Sequence, residues 1–218
     1  MVKVCVYEEV PKLETVVVSI GGAAIEVSNQ FSPDFKTADS VKTLTSDSKE
    51  APGVEVVLDL NVVRKILSSP DVYKRQYGID VPRITPEEVD RFQEGLMLER
   101  DSIGPILSIS SEEKIMRETL GKVKLAVEGA DEAREQGLPV LKDLQFNCNA
   151  STGGGTGSSI ILPHCSVIKR YYPKSCVNLV TSFDYIAEAI PSIEAGETIL
   201  RNIRGFLEEL IDMEEKRK

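Results

Sequence analysis

The run Ser151-Thr152-Gly153-Gly154-Gly155-Thr156-Gly157-Ser158-Ser159 constrains this chain more than any other stretch. Residues 144–149, Leu-Gln-Phe-Asn-Cys-Asn, read as a strand leading into it, and 158–172 are apolar enough for a buried helix leading out, with Pro163 near its first turn. Flexible linkers are not normally held between an apolar strand and an apolar helix. Glycines in such a turn let backbone N–H groups approach an anion, and the following helix N-terminus adds partial positive charge. The physical reading is therefore a phosphate cradle, with Thr156 and Ser158 offering hydroxyl donors. No Lys-Ser/Thr pair follows the glycines, so this is not a Walker A loop, and the spacing and downstream acid of a dinucleotide fingerprint are missing.

A second unit of the same kind lies near the start. The β-branched run 15–20 predicts a buried strand, Gly21-Gly22 a turn, and 23–31 a helix. The polar stretch 32–52 is expected to be loop or weakly ordered helix, 54–60 a strand, 61–70 a short helix closed by Pro70, and 71–86 a loop around Gly78, Pro82 and Pro86. Thr85-Pro86-Glu87-Glu88 has the pattern of a helix start running to about Arg100. Ser110 or Ser111 is expected to cap a helix from Glu112 to Gly129, extending as far as Gln136 if Gly137 stops it. After the glycine loop come a strand at 177–181 and a helix from Gly196, with an apolar stripe of Ile199, Ile203, Phe206, Leu207, Leu210 and Ile211. Strands alternating with helices predict an α/β fold, a Rossmann-like, mostly parallel sheet flanked by helices, formed as a single domain over 1–218.

Charge narrows the function. Lys plus Arg total 26 against 35 Asp plus Glu, a net charge of -9, with cations and anions interspersed, so nucleic-acid binding is disfavoured. No apolar run approaches the ~18 residues of a membrane span, and acids follow the N-terminus where a leader would be apolar, so a cytoplasmic protein is expected. Cys5, Cys148, Cys165 and Cys176 lack metal-ligand spacing, and His164 is the single histidine. His164 and Cys165 adjoin, but sequence neighbours point apart, which argues against a Cys-His nucleophile. Asp71-Val72-Tyr73-Lys74-Arg75-Gln76 matches, residue for residue, one reading frame of a transposase adapter used to build sequencing libraries. It is read as a sequence artefact, and no function is placed on 71–84.

The stretch Gly153-Gly154-Gly155-Thr156-Gly157-Ser158 resembles the GGGTGSG signature of the tubulin and FtsZ family of GTPases, with Ser159 in place of the last glycine. Leu144-Gln145-Phe146 and Ser151 precede it much as in tubulins. The segment from Ser19 to Phe31 is similar to the family's first nucleotide loop: Gly21 matches both branches, Gly22 the FtsZ form, and Ala24 replaces a glycine. Val57-Leu58-Asp59-Leu60-Asn61 resembles the tubulin VDLEP segment, with Asn61 where a glutamate lies near magnesium. The third phosphate loop is not recognisable, and Glu188 and Glu194 lie where the family contacts ribose.

The resemblance implies GTP or GDP with Mg2+ above the C-terminal ends of parallel strands. It also implies head-to-tail filaments with hydrolysis between subunits. The nucleotide contacts it implies are Gly21, Gly22, Ala23, Ala24, Asn29, Asp59, Asn61, the 153–158 loop and Glu194. The family's central helix, guanine-stacking residue and second domain are expected beyond Lys218, so this chain is expected to bind without hydrolysing. Two other readings share the loop. One is a non-enzymatic interaction module in which Ala24 and Asn61 mark decayed contacts; the other is an unrelated α/β enzyme holding a dinucleotide or sugar phosphate.

Overall fold

A computed structural model describes residues 12–30, 41–47, 50–58, 60–78, 100–138, 140–182 and 193–215. In chain order these form β1 (Lys12–Ile20), α1 (Gly22–Asn29), β2 (Val41–Asp47), β3 (Val56–Val57), α2 (Leu60–Leu67), α3 (Pro70–Tyr77), α4 (Arg100–Glu135), β4 (Val140–Ser151), α5 (Gly155–Tyr171), β5 (Cys176–Ser182) and α6 (Ile193–Glu215). The five strands make one parallel sheet in the order β3-β2-β1-β4-β5. The fold is α/β and Rossmann-like, as the alternation of strands and helices predicts.

β1 is central, and its Val16-Val17-Val18 run is buried on both faces, the pattern of a parallel strand with helices on either side. Val16, Val18 and Ile20 share a core with Leu44, Phe146 and Cys148, covered by residues of α4, α5 and Phe206 of α6. On the opposite face Val17 and Ser19 lie buried, as do Ala24, Ile25 and Ser28 of α1. There the Ser19 and Ser28 hydroxyls hydrogen-bond, and Asn149 Nδ2 donates to Ser19 Oγ at 3.3 Å.

Several expectations are corrected. The stretch 32–52, read as loop from its polarity, contains β2; pairing with β1 from Thr15↔Val41 to Ile20↔Ser46 supplies the order that its composition does not announce. The strand expected at 54–60 shrinks to β3, and Leu60 already begins α2. This short edge is held from α4, where Lys114 Nζ donates to the Val57 carbonyl at 2.7 Å and Lys122 pairs with Glu55 at 2.5 Å. Residues 71–77 are helix rather than loop. Pro70 sits in the first turn of α3, and Gly78, at φ 70°, caps it by donating its N–H to the Lys74 carbonyl at 2.9 Å. The helix expected over 85–99 lies outside the described residues.

Ser110 and Ser111 do not start a helix; they lie inside the continuous α4. The buried series Ile115, Met116, Thr119, Val123, Ala126, Ala130 and Ala133 recurs at helical spacing, so packing overrides the local capping signal. Its end falls at Gly137 as expected. Gly137 adopts φ 77°, its N–H donates to Arg134 O, and Leu138 N donates to Ala133 O, both at 3.0 Å, which is a Schellman closure.

His164 is a core residue. Its Nδ1 faces Glu112 Oε1 at 3.0 Å and its Nε2 lies 3.3 Å from Thr119 Oγ1. The Thr119 hydroxyl also donates to the Ile115 carbonyl at 2.8 Å. The imidazole therefore ties α5 to α4. His164→Leu strands Glu112 in a partly buried site and is expected to cost about 2 kcal/mol, read as a fall in Tm of roughly 4–8 °C.

Candidate functional site

With strands in the order β3-β2-β1-β4-β5, connections leave β1 in one direction and β4 in the other, so the sheet's switch point lies between these neighbours. Both strands run directly into helices there. α1 and α5 begin at glycine N-caps, Gly21 and Gly154, and neither has a side-chain cap or an acid in its first turn. Two helix N-termini thus bring uncapped backbone donors and positive dipole ends to one crevice, an arrangement suited to an anion.

The turns touch each other. Gly21 adopts φ 88°, donates its N–H to Ser46 O at 2.8 Å, and a Cβ on it would lie 3.2 Å from Gly157 N. A Cβ on Gly157 would lie 2.7 Å from the Ile20 carbonyl oxygen. Gly157 is thus a packing glycine, setting α5 against the end of β1, whereas the sequence suggested that every glycine of the loop serves an anion. Gly154 is the contrast. Its φ of -79° suits any residue, and a Cβ there would meet only Ser151, at 4.0 Å. Neither backbone nor packing explains a glycine at 154.

The loop is fastened from two sides. Thr152 Oγ1 donates to the Ser182 carbonyl at 3.1 Å, tying it to the end of β5. Asn202 of α6, buried, donates Nδ2 to the Gly153 carbonyl at 3.0 Å, and Ile199 Cγ2 would stand 3.0 Å from a Cβ at Gly153. The sequence assigned α6 a purely apolar inner stripe. The structure buries Ile199, Asn202 and Phe206 and leaves Leu207 and Ile211 exposed, because the asparagine is needed to satisfy the loop. Asn202→Leu keeps the number of side-chain heavy atoms but removes the donor to that carbonyl. It is expected to lower stability by about 1–2 kcal/mol, checked by the urea midpoint at unchanged m-value.

The predicted contact residues divide. Gly21, Gly22 and the loop Gly153, Gly154, Gly155, Thr156, Gly157 and Ser158 come together at the crevice, with Ala23 half-buried beside Gly22. Of the two hydroxyls expected as donors, that of Ser158 donates to Gly154 O at 2.6 Å, and the neighbouring Ser159 Oγ donates to Gly155 O at 2.5 Å, inside the helix's first turns. Ala24 is buried within α1. Asn29 ends α1, about 10 Å along the axis from its start, and its amide lies against Gly53 instead.

Asn61 is exposed on α2, where its Oδ1 accepts from Arg64 Nη1 at 3.0 Å, two strands away from the switch point. Asp59 lies outside the described residues, as does Glu188, and Glu194 falls in the first turn of α6. Among the described residues a carboxylate that reaches the crevice is that of Asp47, at the end of β2, whose Oδ2 lies 3.4 Å from the position of a Gly22 Cβ. Its signal was present in the sequence as an acid closing a β-branched run, but the run was read as loop. Among the described residues no three His, Cys, Asp or Glu side chains cluster to hold a metal, and no helix is long and apolar enough to cross a membrane.

No family model matches the chain, and no curated protein matches it. Among solved structures it is similar to CetZ from Methanosaeta thermophila strain DSM 6194, with a TM-score of 0.43 and 14% identity, over 89% of this chain and 43% of that one. The chain thus spans less than half the length of that structure.

Proposed function

We propose that this chain is a tubulin/FtsZ-like nucleotide-binding domain that takes GTP or GDP with Mg2+ at the β1/β4 switch point. In the full-length protein it would self-associate head to tail into cytoplasmic filaments, with hydrolysis at the subunit interface. The observation that carries the reading is Gly154: a glycine with an ordinary φ and no neighbour to crowd it, at the uncapped start of α5 and opposite the Gly21 turn. Phosphate oxygens seated there take backbone N–H donors from the first turn of α5 and the field of two helices. The residues around the crevice fit a magnesium that arrives with phosphates, since Mg2+ commonly uses one or two carboxylates, phosphate oxygens and water. Asp47 would hold it, and the ion would neutralise phosphate charge. The loop's motif supports guanine nucleotides in particular.

The test is binding of a fluorescent GTP analogue to the purified chain with Mg2+ present. Saturable binding displaced by unlabelled GTP and not by ATP is the expected result. Displacement by ATP or a dinucleotide would move the reading to another phosphorylated ligand, and no binding at all would favour an interaction module on the same fold.

A further inference from the structure

The apolar residues of α6 divide between two sides of the helix. Ile199, Asn202 and Phe206 turn inward onto the glycine loop and the core, while Leu200, Leu207 and Ile211 stand 59, 39 and 56% exposed. With the exposed Arg204 between them, these recur at spacings of four, three and four residues, the a and d positions of a helix–helix seam. At 3.6 residues per turn the seam lies roughly 140° round the axis from the buried stripe. Thus α6 holds its own sheet with one side and presents the seam on another.

Charge along the exposed side selects what covers it. Arg201 and Arg204 fall in the first half of the seam, and Glu208, Asp212 and Glu215 in the second, all exposed. Two such helices laid parallel set like charges side by side. Laid antiparallel, they set the basic half of each against the acidic half of the other. A two-fold axis between Arg204 and Leu207 does this: Leu200 of one copy meets Ile211 of the second, and the Arg204 stem lies along Leu207 of the second. Arg204 Nε donates to Glu208 Oε1 of its own helix at 2.8 Å, an exposed pair that exchanges for its intermolecular equivalent at little cost.

We infer that this side of α6 is a dimerisation surface whose occupant is α6 of a second copy of this chain, packed antiparallel about a two-fold axis. The inference is independent of what the crevice binds. Its contact is closed, so it needs no nucleotide and adds no third subunit. Three helical turns bury less than a standard interface, and a Kd of roughly 10–100 µM is expected.

Sedimentation velocity of the chain without added nucleotide, from about 5 to 500 µM to bracket that Kd, is expected to show monomer passing to dimer and no further. Leu207→Glu places a charge in the seam without touching the core, and is expected to raise Kd at least 10-fold at unchanged Tm. Arg201→Glu with Arg204→Glu, and Glu208→Arg with Asp212→Arg, should each give a monomer, and an equimolar mixture of the two should restore the dimer. A monomer at every concentration would overturn the proposal, as would a dimer indifferent to Leu207→Glu. A mixture that stays monomeric would overturn the antiparallel pairing. Growth beyond two subunits, or dissociation by Gly154→Val, would place the contact elsewhere and overturn it too.

Discussion

Gly157→Ala is expected to destabilise the protein by about 2 kcal/mol or more, seen as a lower urea midpoint and a Tm reduced by roughly 4–8 °C. Propensity alone predicts the reverse, since alanine is favoured over glycine inside a helix by about 0.5–1 kcal/mol. The new methyl would stand 2.7 Å from the Ile20 carbonyl oxygen and 3.3 Å from both Ala150 Cβ and the Ser151 carbonyl oxygen. Ile20 and Ser151 are the last residues of β1 and β4, so relief requires α5 to lift from the sheet rather than a side chain to turn. Gly121 supplies the matched control. It also lies inside a helix, and a methyl added there would meet nothing within 4 Å, so Gly121→Ala is expected to show the propensity gain with the opposite sign. Equal effects at 121 and 157 would mean that α5 does not bear on the strand ends.

What could be read from the sequence was what local pattern decides. The β-branched run of β1 and the Leu-Gln-Phe approach of β4 gave strands, and the glycine clusters marked both turns at the switch point. The Schellman end of α4 was legible because Gly137 alone supplies its left-handed residue. What failed depended on partners distant in the chain. β2 is polar by composition and becomes a strand because it pairs with β1 along six residues from Val41 to Ser46. Losing β2 also lost Asp47, which only the sheet brings beside Gly22.

Asn202 was hidden for a related reason: a polar residue on the inner face of α6 looks like an interruption until the Gly153 carbonyl it satisfies is known. Ala24 and Asn29 were placed by resemblance of the loop; the structure buries Ala24 and sets the Asn29 amide, at the far end of α1, beside Gly53. Within the loop the motif could not separate glycines needed for packing from those that packing does not explain. That distinction requires the distance from each missing Cβ to its neighbours.

Gly154→Val turns that distinction into a measurement. Its backbone, at φ -79° and ψ 138°, is the extended region that valine prefers, and the nearest atoms to a Cβ are those of Ser151 at 4.0 Å. Folding stability is therefore expected to change by less than about 1 kcal/mol, most of it the weaker N-cap character of valine relative to glycine. Binding is expected to respond far more. A β-branched side chain at the first residue of the uncapped α5 start occupies the space where phosphate oxygens must approach the N–H groups, and those charge-assisted bonds cannot lengthen without failing. Losing two of them at about 1.5–3 kcal/mol each corresponds to an affinity reduced at least 100-fold, measured by titration with the fluorescent GTP analogue. The paired outcomes discriminate, because a substitution that spoils the fold lowers Tm and binding together, as Gly157→Ala does. Unchanged Tm with lost binding places the ligand at Gly154. Unchanged Tm with unchanged binding would remove the ligand from this loop, and the glycine at 154 would again have no explanation.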